Sequence, residues 1–579
     1  MTSIFDFSFK ITQSIFTFKR IPTMNLRIFT LLFFLTITAQ IVTGQETARI
    51  SGNLEMNGNF FFRDSAIGAA NTPQYDRQLY GADAWLNLNY SYMGFDAGIR
   101  FDIFNNSNLL NPTGSYSDQG IGRWFLKKKI NKFGIYAGYI YDQIGSGIIF
   151  RAYETRPLAI DQALFGIQLS YELNPDWNIK AFTGRQKQQF NLYRSIIRGT
   201  YIEGFVASDS SNVTFSPGFG VVARTLDDSD MNSLVANLNT YLKDDIFTPN
   251  YNSYAFSFYN TLTSGPFNWY VEAAYKTEDF FLDPWMERTT VSGDTVVGRF
   301  RNGEGSILYT SLSYAKSGWG ITLEGKRTEN FTFRTRPQED GNRGLINFLP
   351  PMTRVNTYRM TARYNAATQD LGELAFQADI RYSPSRKTSF NVNFSNITDL
   401  DNNLLYREVF TEFYYKYKRK WTLTAGVQRQ EYNQEIYEVK PDVPIVETVT
   451  PYFDFLYRIT RKKSIRFEAQ YMTVGEDKGE KHDYGDWIFG LAELSFAPHW
   501  TFTVSNMYNI SPGKNSPDED GDGIKEKIHY PRFDIFYTHK ANRFSLSYVK
   551  QVEGVVCSGG ICRLEPAFNG VKVSVNSSF

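Results

Sequence analysis

Beyond residue 45 the chain is a succession of segments in which apolar and polar residues alternate. Ile465, Phe467, Ala469 and Tyr471 fall on one side of their segment, and Arg466, Glu468 and Gln470 on the other. Trp421, Leu423, Ala425 and Val427 oppose Thr422, Thr424 and Gln428 in the same way, and Trp269, Val271, Ala273 and Tyr275 oppose Asn268, Glu272 and Lys276. A two-residue period predicts extended strands with one apolar and one polar face. The apolar faces begin or end in aromatic residues, as expected at the two lipid–water boundaries of a membrane barrel. In a soluble sandwich or solenoid the outward face would be polar instead.

The connections sort by length. Short ones at 383–387, 461–463, 497–499 and 540–542 alternate with long ones at 431–449, 473–483, 511–528 and 553–566. Short turns at one end and long loops at the other are the pattern of outer-membrane barrels, whose strands are normally even in number. The expected fold is all-β: a large closed antiparallel transmembrane β-barrel of roughly 22–24 strands. The count breaks between 334 and 383. Counting back from the C-terminus makes 365–373 external, while counting forward makes 336–352 external. A segment folded into the lumen resolves the conflict, and the apolar stretch 345–352 is the candidate. Between 227 and 245, Met231, Leu234, Val235, Leu238 and Leu242 recur at helical spacing, which predicts a short helix capping or entering the barrel. At the C-terminus, Val571, Val573 and Val575 alternate with Lys572, Ser574 and Asn576, and the chain stops at Phe579. An exposed edge would aggregate, so this strand is expected to pair with the first. The ending resembles the terminal signature that outer-membrane barrels present to the barrel assembly machinery, which makes Phe579 the expected assembly signal.

Composition separates the two membrane classes. Of 579 residues, 49 are Phe and 37 are Tyr, yet the mean hydropathy is −0.36. A helical membrane protein would show repeated apolar runs of about 20 residues, whereas a barrel hides its lipid face in alternate positions. The sustained apolar run, 28–42, follows Arg27 and precedes Gly44, and is shorter than a span. It predicts a secretory signal within residues 1–44, with the mature barrel occupying 45–579. Residues 1–23 are either part of this extension or an over-called start, with Met24 the initiator. Removing residues 1–44 takes four basic groups from 61 and one acidic group from 60, leaving 57 and 59. That balance offers no basic surface for nucleic acid. The expected partners are the outer-membrane bilayer, the assembly machinery and other surface proteins. Cys557 and Cys562 flank a short loop before the last strand, and in an exported chain they are expected to form an external disulfide.

The most distinctive stretch is 141–166. It breaks alternation and carries Asp142, Arg151, Glu154, Arg156 and Asp161, and Arg185 and Arg198 follow. Near the membrane midplane each Arg or Lys facing lipid costs about 2–4 kcal/mol, so these groups are expected in the lumen or at the rim. There they form either a constriction that selects polar solutes or a satisfied ion-pair network. Asp518, Asp520, Asp522 and Gly523 match the start of a calcium loop, with Glu526 a further candidate ligand, but the twelfth position is His529 rather than Glu. The loop is thus a weak external calcium site or a solvated acidic loop, and no other cofactor is expected. Of the four histidines, His482 beside Asp483 is the one arrangement suggesting catalysis. Adjacent strand residues point to opposite faces, so an enzyme is not expected.

The stretch 141–166, with 372–382 and the ending 556–579, resembles a family of uncharacterised outer-membrane barrels of Bacteroidetes-type Gram-negative bacteria, carried as a domain of unknown function. The resemblance covers nearly the whole mature chain and implies fold and outer-membrane location, with no established activity and no functional residues. The functional expectation is a channel for polar solutes with a charge-lined lumen. The alternative is a non-conducting barrel that serves as a scaffold or partner in a surface export or uptake complex.

Overall fold

The computed structural model describes residues 48–207, 212–518, 522–558 and 561–579, with backbone alone at 556–558, 561 and 562. The predicted signal segment lies outside the described residues. The alternating segments form 24 antiparallel strands. In chain order they are β1 (Arg49–Phe61), β2 (Tyr80–Tyr92), β3 (Phe95–Ser107), β4 (Tyr116–Ile130), β5 (Phe133–Ile140), β6 (Leu164–Asn174), β7 (Trp177–Gln188) and β8 (Ile196–Gly204). There follow β9 (Val213–Thr225), β10 (Asn252–Ser264), β11 (Phe267–Thr289), β12 (Thr295–Lys316), β13 (Trp319–Glu329), β14 (Gly372–Ser385), β15 (Thr388–Thr398) and β16 (Leu404–Tyr417). The last eight are β17 (Trp421–Tyr432), β18 (Val446–Arg458), β19 (Lys463–Val474), β20 (Gly485–Phe496), β21 (Trp500–Pro512), β22 (His529–His539), β23 (Asn542–Gln551) and β24 (Phe568–Ser578).

Each strand pairs with its sequence neighbour, and β24 pairs with β1 from Asn53↔Ser578 to Phe61↔Gly570. Closure leaves no open sheet edge in the wall, the condition for crossing lipid. Phe579 continues the seam: its N–H donates to the Gly52 carbonyl at 3.0 Å and its carbonyl accepts from Gly52 N at 2.9 Å.

The two faces of the wall match the two-residue period. On β10, Tyr254, Phe256 and Phe258 are exposed while Ser253, Ala255 and Ser257 are buried; on β19, Phe467 and Tyr471 are exposed while Glu468 and Gln470 are buried. An apolar band facing outward over a polar interior has lipid as its only compatible solvent. The protein is an outer-membrane β-barrel. Trp177, Trp269, Trp319, Trp421 and Trp500 all stand at the start of strands that leave short turns, where indole rings suit the headgroup level. Trp319 stacks on Tyr382 at 4.3 Å, and the ring of Trp500 lies 4.6 Å from that of Tyr537.

Two departures from a plain cylinder matter. Strands β11 and β12 have 23 and 22 residues, about ten more than a crossing needs, so their hairpin runs on for about 30 Å along the strand direction. Helix α1 (Asp228–Leu238), capped by Asp227 accepting from Ser229 N, packs Met231, Leu234 and Leu238 with Tyr241, Phe280 and Phe300 of this hairpin and its approach. The spacing-predicted helix therefore exists, but Val235 and Leu242 are exposed and the helix ends before Leu242. The second departure is the connection 330–371 between β13 and β14. Both segments that looked external, 336–352 and 365–373, lie wholly or largely in this one connection, so the two counts agree.

Candidate functional site

At about 4.8 Å between strands and a tilt near 40°, a circular wall of 24 strands is about 48 Å across. Two connections at the long-loop end fold into that space. The first is 141–163, between β5 and β6. It turns through Gly145 (φ 54°) and Gly147 (φ 102°), left-handed positions that suit glycine, and buries Ile144, Ile148, Ile149 and Phe150. Phe150 stacks on Phe182 of β7 at 4.4 Å, and Ser146 donates from N and Oγ to Glu272 of β11 at 2.9 and 2.6 Å.

Charge fastens the same loop. Arg100 of β3, its side chain 2% exposed, bonds Asp102 at 2.6 Å, Glu154 at 2.6 Å and Asp161 at 2.8 Å. Lys187 of β7 reaches Asp161 at 2.5 Å, and Arg156 joins Glu154 at 3.1 Å to Glu55 of β1 at 2.6 Å. Burial alone would raise the Asp161 carboxyl, but Lys187 and Arg100 hold it below its ordinary value. The charges thus form a paired network between loop and wall.

The second inward connection, 330–371, buries Phe331, Phe333, Ile346, Met352, Met360 and Tyr364. The predicted stretch 345–352 is part of it. An irregular segment inside a barrel needs partners for its backbone, and the polar inner face supplies them. Arg224, Lys276 and Lys326 donate to the carbonyls of Arg334, Thr332 and Pro350 at 2.9, 2.6 and 2.5 Å. Gln186, Gln428 and Gln430 donate to those of Leu345, Thr361 and Tyr364. Each of the three wall cations also meets a carboxylate, Asp279 or Glu373. The two inward loops bond each other, Arg151 N to the Ile346 carbonyl at 2.8 Å and Phe348 N to the Gly147 carbonyl at 3.0 Å.

The space they leave lies along β19 to β24 and round to β1 and β2. Cavities of about 700, 360 and 560 Å³ adjoin there and share lining residues. They extend from Asn108, Pro157 and Arg563 among the long loops to Arg543 and Asn576 beside the short turns.

Of the residues expected to line the lumen, Glu154, Arg156 and Asp161 meet in the network. Asp142 accepts from Tyr201 at 2.6 Å and from Gln168. Arg151 is inside but pairs with rings, lying over Tyr153 and Phe348 at 4.4 and 4.1 Å. Arg185 and Arg198 are not in the lumen. Both are exposed on the outer face while their neighbours Gln186, Lys187 and Ile197 are buried, and Arg198 bonds Thr225 at 3.0 Å. They sit within three residues of the long-loop ends of β7 and β8, where the penalty for an outward charge falls to about 0–1 kcal/mol.

Arg100, Asp102 and Glu55 were not anticipated. The signal of Arg100 and Asp102 is an Arg and a carboxylate two positions apart on one strand face, a pattern that recurs as bonded pairs at Arg466–Glu468 and Arg532–Asp534; Glu55, between Asn53 and Asn57, carries no such signal. In the acidic loop, Asp518 accepts from Gly523 N and Asp522 from Ile524 N, Glu526 N bonds the Pro517 carbonyl, and Asp520 lies outside the described residues. Among the described residues no group of three acidic, His or Cys side chains is placed to hold a metal. Asp483 is bonded by Tyr364, Gln434 and Asn515 and faces Arg363 at 3.7 Å, so its carboxylate fastens the second inward loop. Cys557 stands opposite Cys562 in the backbone register of a hairpin, Gly554–Ser558 with Ile561–Glu565, at the long-loop end.

No curated protein matches the sequence. Among solved structures the chain is similar to the translocation pore of the P pilus usher PapC (TM-score 0.40, 9% identity, 91% of this chain and 99% of that one). It is also similar to the siderophore receptor PirA from Pseudomonas aeruginosa (0.37, 10%, 93% and 82%) and to the ferric citrate transporter FecA (0.39, 10%, 93% and 79%). A likeness at this level says nothing of substrate or mechanism. The chain belongs to a family of unknown function, DUF6029, whose model matches residues 24–579.

Proposed function

We propose that this outer-membrane barrel is a loop-constricted channel for polar solutes. The observation that carries the reading is the run of adjoining cavities from the long-loop end to the short-turn end, on the side that the inward loops leave open. The charged groups in its lining suit hydrated, polar solutes. The ion-pair network holds loop 141–163 against β1, β3 and β7 and so limits the width of the passage.

The purified full-length protein in planar bilayers is expected to give small, discrete conductance steps. A wild-type barrel that is folded, by its heat-modifiable mobility, and yet passes no current would overturn the channel. The scaffold reading would then stand. It has its own support in the β11–β12 hairpin, which carries Val291 and Val297 exposed by 68% and 66% above the rim, where a surface partner would meet them.

A further inference from the structure

Several luminal cations meet an anion, Arg100, Arg224, Lys276 and Lys326 among them, while Arg151 and Arg354 lie over rings instead. Four further cations gather where the three cavities adjoin. Arg359, on the second inward loop, lines the 700 and 360 Å³ cavities; Arg532 and Arg543 line the 360 and 560 Å³ cavities; Lys572 lines the 700 and 560 Å³ cavities. Of these four cations, Arg532 is neutralised by Asp534 at 2.9 Å. Arg543 and Lys572 lie over the rings of Phe536 and Phe568, and neither forms an ion pair among the described residues.

Arg359 has no ion-pair partner among them either. Arg359 is exposed to the luminal space, yet desolvation by the protein around it, with Arg532 and Arg363 near it, pushes its pKa down to about 10. Like charges gathered in a cleft walled by protein attract an anion from solution. The three cavities together are lined by ten cations and seven carboxylates, Glu565 standing with Lys572 in two of them, and this surplus of positive charge against a space of small-molecule size makes a binding site that an outside anion completes.

We infer that this junction binds a small soluble solute carrying two or more phosphate or carboxylate groups, held by Arg359, Arg543 and Lys572 with Arg532 beside them. The site faces the lumen behind the wall of β20–β24, so the anion comes from solution and not from the headgroup of a membrane lipid. Arg guanidinium groups suit both oxyanions through paired N–H donors. The inference deepens the channel reading by naming the solute class. It is tested by binding, so its failure is distinct from a failure to conduct.

The experiment is calorimetry and thermal unfolding of the full-length protein in neutral detergent at low ionic strength, where screening is weak, with pyrophosphate and citrate as probes. Both are expected to bind and to raise the unfolding temperature. Arg359→Gln and Lys572→Gln should each weaken binding by about tenfold or more, while the outward Arg185→Gln leaves it unchanged. Without probe, Arg359→Gln should unfold at or above the wild-type temperature, because it removes a repelled charge. Three results would each overturn the inference. They are no heat from either probe at about 10 mM, which would fill even a site with Kd near 1 mM; unchanged affinity in both luminal variants; and a lower probe-free unfolding temperature for Arg359→Gln, which would make that charge a structural one.

Discussion

Replacing Arg100 by Met should release the loop 141–163 from the wall. The guanidinium is 2% exposed and bonds three carboxylates, one on its own strand and two on the loop. In the wild type three cations, Arg100, Arg156 and Lys187, face four carboxylates, Glu55, Asp102, Glu154 and Asp161. After the substitution two cations face the same four. Removing one partner from a buried charge network costs about 3–5 kcal/mol. At about 1.4 kcal/mol per power of ten, the docked-to-released ratio of the loop should fall by about two to three and a half powers of ten. Hydrogen exchange reads this directly at Ser146 N, which bonds Glu272, and at Arg151 N, which bonds the Ile346 carbonyl. Single-channel recording should show more frequent or wider openings. Arg100→Lys keeps the charge but not the three-way fork and should fall between. If exchange at residues 144–151 speeds up by less than about tenfold in a folded Arg100→Met barrel, the network is not the clamp. The packing of Ile144, Ile148, Ile149 and Phe150 would then hold the loop unaided.

Acid should loosen both inward loops. Asp161 is partly buried and Asp483 buried, yet the cations beside them hold both below the ordinary Asp value of about 3.9. Their stabilisation is complete above that value and is lost as pH falls below it through the folded-state values, so limited proteolysis of 141–163 and 330–371 should begin below about pH 4; equal resistance at pH 3 and pH 7 would refute it. The register of Cys557 against Cys562 suits an external disulfide, so a maleimide should label intact cells only after reduction, and labelling without reductant would remove the bridge. Deleting Phe579 should lower the amount of folded barrel in the outer membrane, because its backbone pairs with Gly52 and the assembly machinery is expected to read it; unchanged yield would refute both roles. Gly52→Val should also impair folding, since an added Cβ falls 2.6 Å from the Phe579 ring and 2.7 Å from the Asn87 carbonyl oxygen, and a normal yield would show that the seam yields easily.

What the sequence determined by itself is the wall. Each strand faces lipid on one side and water or protein on the other, so Phe467 against Glu468, or Trp269 against Glu272, reports its surroundings residue by residue. Turn length then orients the barrel, because a two-residue hairpin is a local event. The helix at 228–238 was legible for the same reason: its spacing and its Asp227 cap are local.

What only the tertiary structure decided is the content of the lumen. Arg100 meets Glu154 and Asp161 across 54 and 61 residues of chain, and no local period records such a meeting. Broken alternation together with charge marked 141–166 as a site, but the charge argument also drew in Arg185 and Arg198, because the argument from lipid cost holds at the midplane and fails at the rim. The conflict in strand count between 334 and 383 and the apolar stretch 345–352 were the sequence signals of the second inward loop. The cause is physical: a loop whose backbone is satisfied by Gln186, Lys326 and Gln428 from distant strands needs no periodic pattern of its own, so its path can be recognised only once those strands have closed around it.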